Sequence, residues 1–370
     1  MSEENELAAT ADLLNAEEDA TDTSSCPLCG GKLVYSPADR ALKCEYCGGK
    51  GQIDMSRYGE ELDFYDLINA NNNTWSNDTH VFRCNNCGAK TVISKKEISK
   101  KCPFCGTTNV VQTEELCGLK PNAVLPFLLD KAQACENAVK WAKKRLFSPR
   151  KFKKNVYPEE IDGNYIPAFT FDTNTVTRYS GRLGRTKTRT KRVNGKTVTE
   201  TYTEWFNISG TYNMSFDDFL VQASDSVEQR DVNKLSPFDT NQSQAYSSDY
   251  LMGFTAAQYS RSGQQCWEYA RGVMQDQVKS AILRQYTYDK VGSFSMNMSC
   301  NNITYKYVLL PLYVGHYSYS KKLFNFFVNG RNGKVTGKAP ISPVRVGIAV
   351  LLGLAVAAGI AALIYFLGIK

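Results

Sequence analysis

Eight of the twelve cysteines fall between positions 26 and 105, and their spacing constrains the fold more than any other feature. Cys26-Pro-Leu-Cys29-Gly is followed by Cys44-Glu-Tyr-Cys47-Gly, and Cys84-Asn-Asn-Cys87-Gly by Cys102-Pro-Phe-Cys105-Gly. Both sets read C-x2-C-x14-C-x2-C, and the second repeats the first at an offset of 58 residues. Each C-x2-C-Gly turn folds back so that two thiolates aim at one point, and the glycine relieves the tight backbone that follows. The residues between the turns suit a short hairpin, such as Leu33-Val34-Tyr35 and Ala41-Leu42-Lys43 around Pro37-Ala38-Asp39. The hairpin closes a tetrahedral four-cysteine site of the kind that suits zinc, with iron as the minor alternative. The expectation is two zinc ions. One is held by Cys26, Cys29, Cys44 and Cys47, the other by Cys84, Cys87, Cys102 and Cys105. A cross-braced arrangement would instead combine cysteines of the two repeats.

A disulfide framework is the rival reading. It needs an oxidising compartment, and the first residues carry no signal-peptide pattern. Units as small as 26–50 and 84–110 cannot fold on an apolar core alone, so metal supplies their stability. Four cysteine ligands leave no open coordination position for an activated water. The ribbons therefore read as structural or recognition modules. Cys117, Cys135, Cys266 and Cys300 lack a C-x2-C partner and read as small core residues.

The two ends of the chain differ sharply. Residues 1–25 carry eight of the 37 acidic side chains and none of the 44 basic ones, so the net charge of +7 hides a strongly basic remainder. This acidic tail is expected to be disordered. Val346 to Ile369 holds 24 residues without a charge. At about 1.5 Å per residue that is roughly 36 Å of helix, enough for a hydrocarbon core of about 30 Å. Arg345 and Lys370 bracket it, and Tyr365 and Phe366 sit near one interface. One residue follows the span, so 346–369 reads as a tail anchor of a single-pass protein of the cell membrane. Lys321, Lys322, Arg331, Lys334, Lys338 and Arg345 precede it and place the body in the cytoplasm by the positive-inside rule. Ala349, Gly353, Ala357 and Ala361 recur every four residues, a stripe through which anchors could self-associate.

Between these ends the sequence predicts an α+β body over 118–340, mostly antiparallel. A linker, 51–83, holds a short helix around Leu62–Ile68. Asp130 caps a helix reaching Leu146, and Ser262 with Gln265 forms a capping box for a helix over 263–285. The expected strands are 164–172, 178–192, 197–213, 217–222, 291–298, 303–314 and 322–328, with turns at Asn194-Gly195 and Asn329-Gly330. Arg182, Arg185, Lys187, Arg189, Lys191 and Arg192 lie on one side of the first turn with no acidic neighbour. This hairpin reads as a surface for anionic lipid or an acidic partner, with nucleic acid as the alternative. A solvated, charge-protected edge is the bland reading. His80 and His316 are the only histidines, and no phosphate loop, dinucleotide fingerprint, zinc-protease helix or nucleophile elbow occurs. Glu159-Glu160 and Asp217-Asp218 read as solvated turns. The chain is read as a non-enzyme.

The paired ribbons are followed by Tyr165-Ile166-Pro167-Ala168-Phe169-Thr170-Phe171-Asp172 and Phe216-Asp217-Asp218-Phe219-Leu220-Val221. Leu309-Leu310-Pro311-Leu312-Tyr313, Phe327-Val328-Asn329-Gly330 and Gly333-Lys334-Val335-Thr336-Gly337 complete an ordered set. With the anchor, this set resembles a bacterial family of tail-anchored tandem zinc-ribbon proteins, labelled TFIIB-type or primosomal-helicase-like. The resemblance covers roughly 26–370. It departs at Ala168, where relatives tend to carry a second aromatic. Some relatives are linked to phage-shock-type and flotillin-like (SPFH) membrane complexes. The resemblance therefore implies a scaffold or adaptor for protein partners at the membrane, in the setting of envelope stress. It implies no catalytic residue. A membrane-tethered nucleic-acid-binding protein is the alternative.

Overall fold

The computed structural model describes residues 25–69, 79–94, 101–113, 118–150, 152, 161–193, 196–319 and 322–368. The acidic tail up to Ser24, Cys117, Glu159-Glu160 and the Asn194-Gly195 turn lie outside the described residues. The chain opens with β1 (Leu33–Ser36), β2 (Ala41–Cys44) and β3 (Lys50–Gly51), which form a small sheet of their own. Then come β4 (Leu62–Asp63) and α1 (Phe64–Asn69), and next β5 (Thr79–Cys84), β6 (Lys90–Ser94) and β7 (Val110–Thr113). The body holds β8 (Ala123–Val124), α2 (Lys131–Lys143), β9 (Ile161–Val193), β10 (Lys196–Gln222) and α3 (Gln229–Leu235). It continues through β11 (Gln244–Ala245), β12 (Thr255–Ala257), α4 (Gly263–Leu283), β13 (Lys290–Tyr319), β14 (Lys322–Asn329) and β15 (Val335–Gly337), and α5 (Pro343–Leu367) follows. The fold is α+β and mostly sheet.

The second sheet has twelve strands, built on the antiparallel pair β9–β13. That pair runs from Ile161 opposite Gly315 to Gly184 opposite Lys290. β10 pairs with the other edge of β9, from Ala168–Gln222 out to Val193–Lys196. Nearer the start of β9, β12 takes that edge in parallel at Asn164 and Tyr165, and links β6, β5 and β7 to the sheet. The second cysteine unit is thus continuous with the body's sheet.

The strands are longer than the sequence suggests. The expected 164–172 and 178–192 are one strand, because Thr173, Thr175 and Thr177 stay buried while Asn174 and Val176 stay exposed through the supposed gap. The expected 197–213 and 217–222 also merge, across a bulge between Phe216 and Phe219. Likewise 291–298 and 303–314 merge across a bulge between Asn301 and Thr304. A bulge bends a strand without ending it.

At its base the sheet is covered on both faces. Residues 164–171 are buried without a break, which explains the unbroken apolar run there. One face meets the first cysteine unit, α2 and an aromatic cluster in which Phe127 stacks on Phe254 at 4.4 Å and meets Tyr313 at 4.8 Å. The other face packs Ile166, Ala168, Val308 and Leu310 against Phe104, Val232 and Leu235. The motifs at 165–172 and 309–313 therefore do packing work at this base.

Beyond Asp172 the sheet narrows to a three-stranded arm of β10, β9 and β13. Here α4 covers one face only, laying Trp267, Ala270, Met274 and Val278 against Tyr179, Leu183, Ile208 and Met298. Both predicted capping boxes are present, Asp130 with Gln133 and Ser262 with Gln265. Helix α1 packs on the body: the Phe64 ring lies 5.3 Å from Trp267. Past Gly184 only β9 and β10 continue, as a two-stranded tip.

Helix α5 starts three residues before Val346, with Pro343 in its first turn. Its 25 residues span about 37 Å. None of its apolar span, Pro343–Phe366, is buried against the body, so α5 is not a core helix. By length and composition it is one candidate membrane span, consistent with single-pass anchoring.

The first cysteine unit docks through Tyr35, whose ring meets Tyr250 at 5.4 Å and whose hydroxyl donates to the Phe127 carbonyl at 3.2 Å. Tyr35→Ala should cost about 3 kcal/mol, in the range for a buried aromatic. Denaturant titration and amide exchange should show β1 loosened from Met252 while the four nearby thiols keep their metal.

Candidate metal centres

All four C-x2-C turns fold alike. The Gly30 amide donates to the Cys26 carbonyl at 2.8 Å, Gly48 to Cys44 at 3.1 Å, Gly88 to Cys84 at 2.9 Å and Gly106 to Cys102 at 2.9 Å. Each of these glycines has a φ between 69° and 75°, the left-handed region that glycine enters at least cost. At Gly106 a side chain is excluded twice over, since an added Cβ would come within 2.2 Å of His316 Nε2.

The turns bring the thiols together as two separate groups, Cys26, Cys29, Cys44 and Cys47, and Cys84, Cys87, Cys102 and Cys105. Within each group the sulfurs lie within 4.8 Å of one another. The shortest separations are 3.5 Å for Cys26–Cys47 and Cys29–Cys44, 3.6 Å for Cys84–Cys105 and 3.7 Å for Cys87–Cys102. A tetrahedron with metal–sulfur bonds of about 2.3 Å has edges of about 3.8 Å. A disulfide needs about 2.05 Å. The donor sets therefore fit a tetrahedral metal, and each hairpin closes its own site, which excludes cross-bracing.

Backbone amides favour some of the thiolates, while burial and neighbouring thiols oppose others. Amide N–H groups of Cys47 and Tyr46 draw the Cys44 thiol down to about 6. Burial opposes ionisation of Cys84, but the Cys87 and Asn86 amides outweigh it and bring the thiol to about 7. At Cys29 the Gly31 amide favours the thiolate, yet the neighbouring thiols of Cys47 and Cys44 push it up to about 12. Four thiolates at this spacing repel one another, and a divalent cation removes the conflict.

The basic side chains divide between the two faces of the arm's tip. Arg185, Lys187, Arg189 and Lys191 alternate on the α4 side, while Arg182 and Arg192 take the opposite face. The fold supplies acids that the linear run lacks. β10 places Glu204 2.6 Å from Lys187, and Glu200 2.9 Å from Arg189 and 2.8 Å from Lys191. The two ammonium and guanidinium partners hold Glu200 down to about 2. Aromatic rings carry two other cations, Arg182 over Trp205 and Arg185 over Phe206, and Arg189 also lies over Tyr202. The pairing of 189 with 200 follows from the register that sets Val193 opposite Lys196, so the Asn-Gly turn expected from the sequence was the signal for these ion pairs.

One charged cluster escaped the sequence reading. Asp218 is no solvated turn residue: it sits in the β10 bulge at φ 47° and places Oδ1 2.9 Å from Lys306 Nζ. Lys306 is only 4% exposed and also lies 3.5 Å from Glu61. The Asp218 amide donates to Asp172 Oδ1 at 2.6 Å, and Thr304 Oγ1 donates to Glu61 at 2.9 Å. Burial, then the nearby Glu61 and Asp218 carboxylates, push Asp172 up to about 7 against the pull of the Asp218 amide. The available signal was Lys306 inside an otherwise apolar run, because a buried lysine demands carboxylate partners. Elsewhere, a cleft of about 560 Å³ beside the second centre is lined by Cys87, Lys90, Phe104, Asp225, Gln258 and Asn325 among others.

A protein of Bacillus subtilis (strain 168), the uncharacterised protein YdjG, is 27% identical over 319 residues, covering 86% of this chain and 89% of its own. No protein-family model matches the chain. No solved structure matches it either.

Two outcomes follow from this geometry. Cys26→Ser should release one metal ion per chain and leave the other at Cys84, Cys87, Cys102 and Cys105, as elemental analysis of the full chain would show. Asp172→Asn should change stability with a distinct pH profile. The folded carboxyl ionises near 7, while the unfolded one ionises near about 3.9. The folded wild type therefore binds the extra proton between those values and loses stability as pH rises through them. The gain in Tm from Asp172→Asn should be negligible near pH 4, grow to pH 7 and level off above. A gain that does not vary with pH would contradict this assignment.

Proposed function

We propose that this chain is a single-pass membrane protein whose cytoplasmic body acts as a scaffold or adaptor for protein partners, with two structural zinc ions. The observation that carries the reading is the three-stranded arm with its basic tip, projecting from a body that continues into an exposed apolar helix. Zinc is the metal favoured by four cysteines in a tetrahedron, and a closed four-thiolate shell leaves it no catalytic position. Thiols held as metal ligands suit a reducing compartment, and Lys334, Lys338 and Arg345 before the span favour a cytoplasmic body. The tip would meet an acidic partner or anionic headgroups through Arg182, Arg185, Lys187, Arg189, Lys191 and Arg192. A second reading has its own support. Cations over exposed aromatic rings, Arg182 over Trp205 on one face of the tip and Arg189 over Tyr202 on the other, offer surfaces on which bases stack. A membrane-tethered nucleic-acid-binding protein is therefore the alternative.

The ion pairs of the tip supply the test. Neutralising Arg185, Lys187, Arg189 and Lys191 to Gln should weaken binding to anionic vesicles. Glu200→Gln with Glu204→Gln should strengthen it, because three bases lose their internal partners. Both effects should shrink with salt as the Debye length falls from about 10 Å at 0.1 M to about 3 Å at 1 M. Co-sedimentation of the chain shortened before Ser342 with anionic vesicles, and its retardation of single-stranded DNA, are the measurements. Response in the DNA arm alone would replace the first reading by the second. Response in neither would return the tip to a solvated edge, and proximity labelling of the intact membrane protein would then test the scaffold reading by itself.

A further inference from the structure

β10 leaves one edge open along most of its length. Its inner edge pairs with β9 from Lys196 to Gln222, and no other strand among the described residues pairs with it. Its register is unbroken until the bulge at Phe216 and Phe219. The open stretch 197–215 therefore covers roughly 60 Å at about 3.3 Å per residue. Proteins blunt exposed edges with charged side chains, lysine above all, or with proline, bulges or short length. This stretch contains no Lys, Arg or Pro, and its charges, Glu200 and Glu204, are confined to the tip end, where they pair with Arg189, Lys191 and Lys187. It is rich in Thr, Tyr and other residues that favour strands. The arm's opposite edge, β13, is blunted. Bulges at Val291/Ser293 and Asn301/Thr304 bound its free part, and β4 occupies the edge from Thr304.

We infer that the open edge of β10 pairs antiparallel with the same edge of a second copy of this chain, in a register centred on Phe206. In an antiparallel ladder alternate residues turn both N–H and C=O outward. Full pairing of 197–215 would thus form roughly twenty backbone hydrogen bonds, against about ten in an ordinary interface. The charge pattern selects the register. Glu200 and Glu204 are the only charged residues in the stretch, and both lie in its outer half. With Phe206 opposite Phe206, Glu200 faces Tyr212 and Glu204 faces Ile208, so no like charges oppose. A register centred on Tyr202 would set Glu200 against Glu204, an unfavourable cross-strand pair. The two-fold axis closes the assembly at two copies, whereas pairing of β10 with β13 of another copy would run on without end. The product is a six-stranded sheet. Both α4 helices lie on one face, and the Ser, Thr and Asn side chains of both arms lie on the other. The inference is independent of any role of the tip in binding lipid or partners.

The test is amide exchange along 197–215 in the full chain, in detergent micelles, across a dilution series with the mass followed by light scattering. At high concentration every amide in the stretch should be protected and the mass should be that of a dimer. On dilution the outward-facing half should become fast as the mass halves. Thr201 and Thr211 are exposed and would face each other across the two-fold axis. Thr201→Glu with Thr211→Glu sets carboxylates opposite each other twice and should weaken association about tenfold. Thr201→Lys with Thr211→Glu should restore it. Slow exchange in α4 in every variant would show that the arm remains folded. Three results would each overturn the inference: a monomeric mass at all concentrations, a dimer whose exchange in 197–215 ignores dilution, or a glutamate pair that associates like the wild type.

Discussion

The antiparallel pairing of Ile161–Gly184 with Lys290–Gly315 is the contact on which the rest of the molecule depends. It joins segments more than a hundred residues apart, so its loop-closure entropy must be met by the packing it permits. At the base that packing is dense: the sheet is sealed on one side by the aromatic cluster at Phe127 and on the other by Val232, Leu235 and Phe104. Several further strands attach to this pair directly. β12 reaches β9 at Tyr165, β8 reaches β13 at Val308, and β14 continues from Leu312. The turn after α2 and helix α5 are linked through the Ser342 amide on the Phe147 carbonyl at 2.8 Å and Arg345 on the Leu146 carbonyl at 3.0 Å.

The two cysteine units use this base differently. The first keeps its own three-stranded sheet and attaches by side chains, chiefly Tyr35, and by one backbone bond from Tyr35 to Met252. The second shares a ladder with the body, since β6 pairs with β12 at Thr91 and Val92. It also buries Phe104 and packs Gly106 under His316. Unfolding of the second unit therefore strips an edge from the main sheet, whereas unfolding of the first removes a docked module. Identical spacing in sequence produces identical centres but unequal coupling to the body.

Much of this is legible in the sequence. The cysteine spacing named both ligand sets, and the left-handed glycine after each second cysteine followed from the turn it must make. The capping residues Asp130 and Ser262 marked two helices because their side chains satisfy orphan amides at identifiable positions. Strand ends were less legible. Thr173 to Thr177 gave no turn signal, and the bulges at Phe216 and Asn301 look like breaks in a one-dimensional pattern. Charge was misleading for a related reason. Arg189 has no acidic neighbour along the chain, but Glu200 sits directly opposite it across the strand. Asp172, Asp218, Glu61 and Lys306 are scattered over some 240 positions and meet only because two bulged strands flank Asp172.

The open face of the arm limits how it can recognise anything. Opposite α4, its three strands present Asn207, Ser209, Thr211, Asn213 and Ser215, then Arg178, Ser180 and Asn174, then Ser293, Ser295, Asn297 and Ser299. Short polar side chains of this kind offer little apolar area, so burying the face would release little hydrophobic free energy. Val176, 39% exposed, and Trp205, 40% exposed beneath Arg182 at the tip end, are the large apolar side chains of this face. Apart from Trp205, the groups the arm offers are backbone hydrogen-bonding groups at the edge of β10 and charge at the tip. These two modes separate by salt, because backbone pairing is insensitive to ionic strength while the tip is screened. The open edge and the charged tip are thus physically distinct surfaces on a single pair of strands.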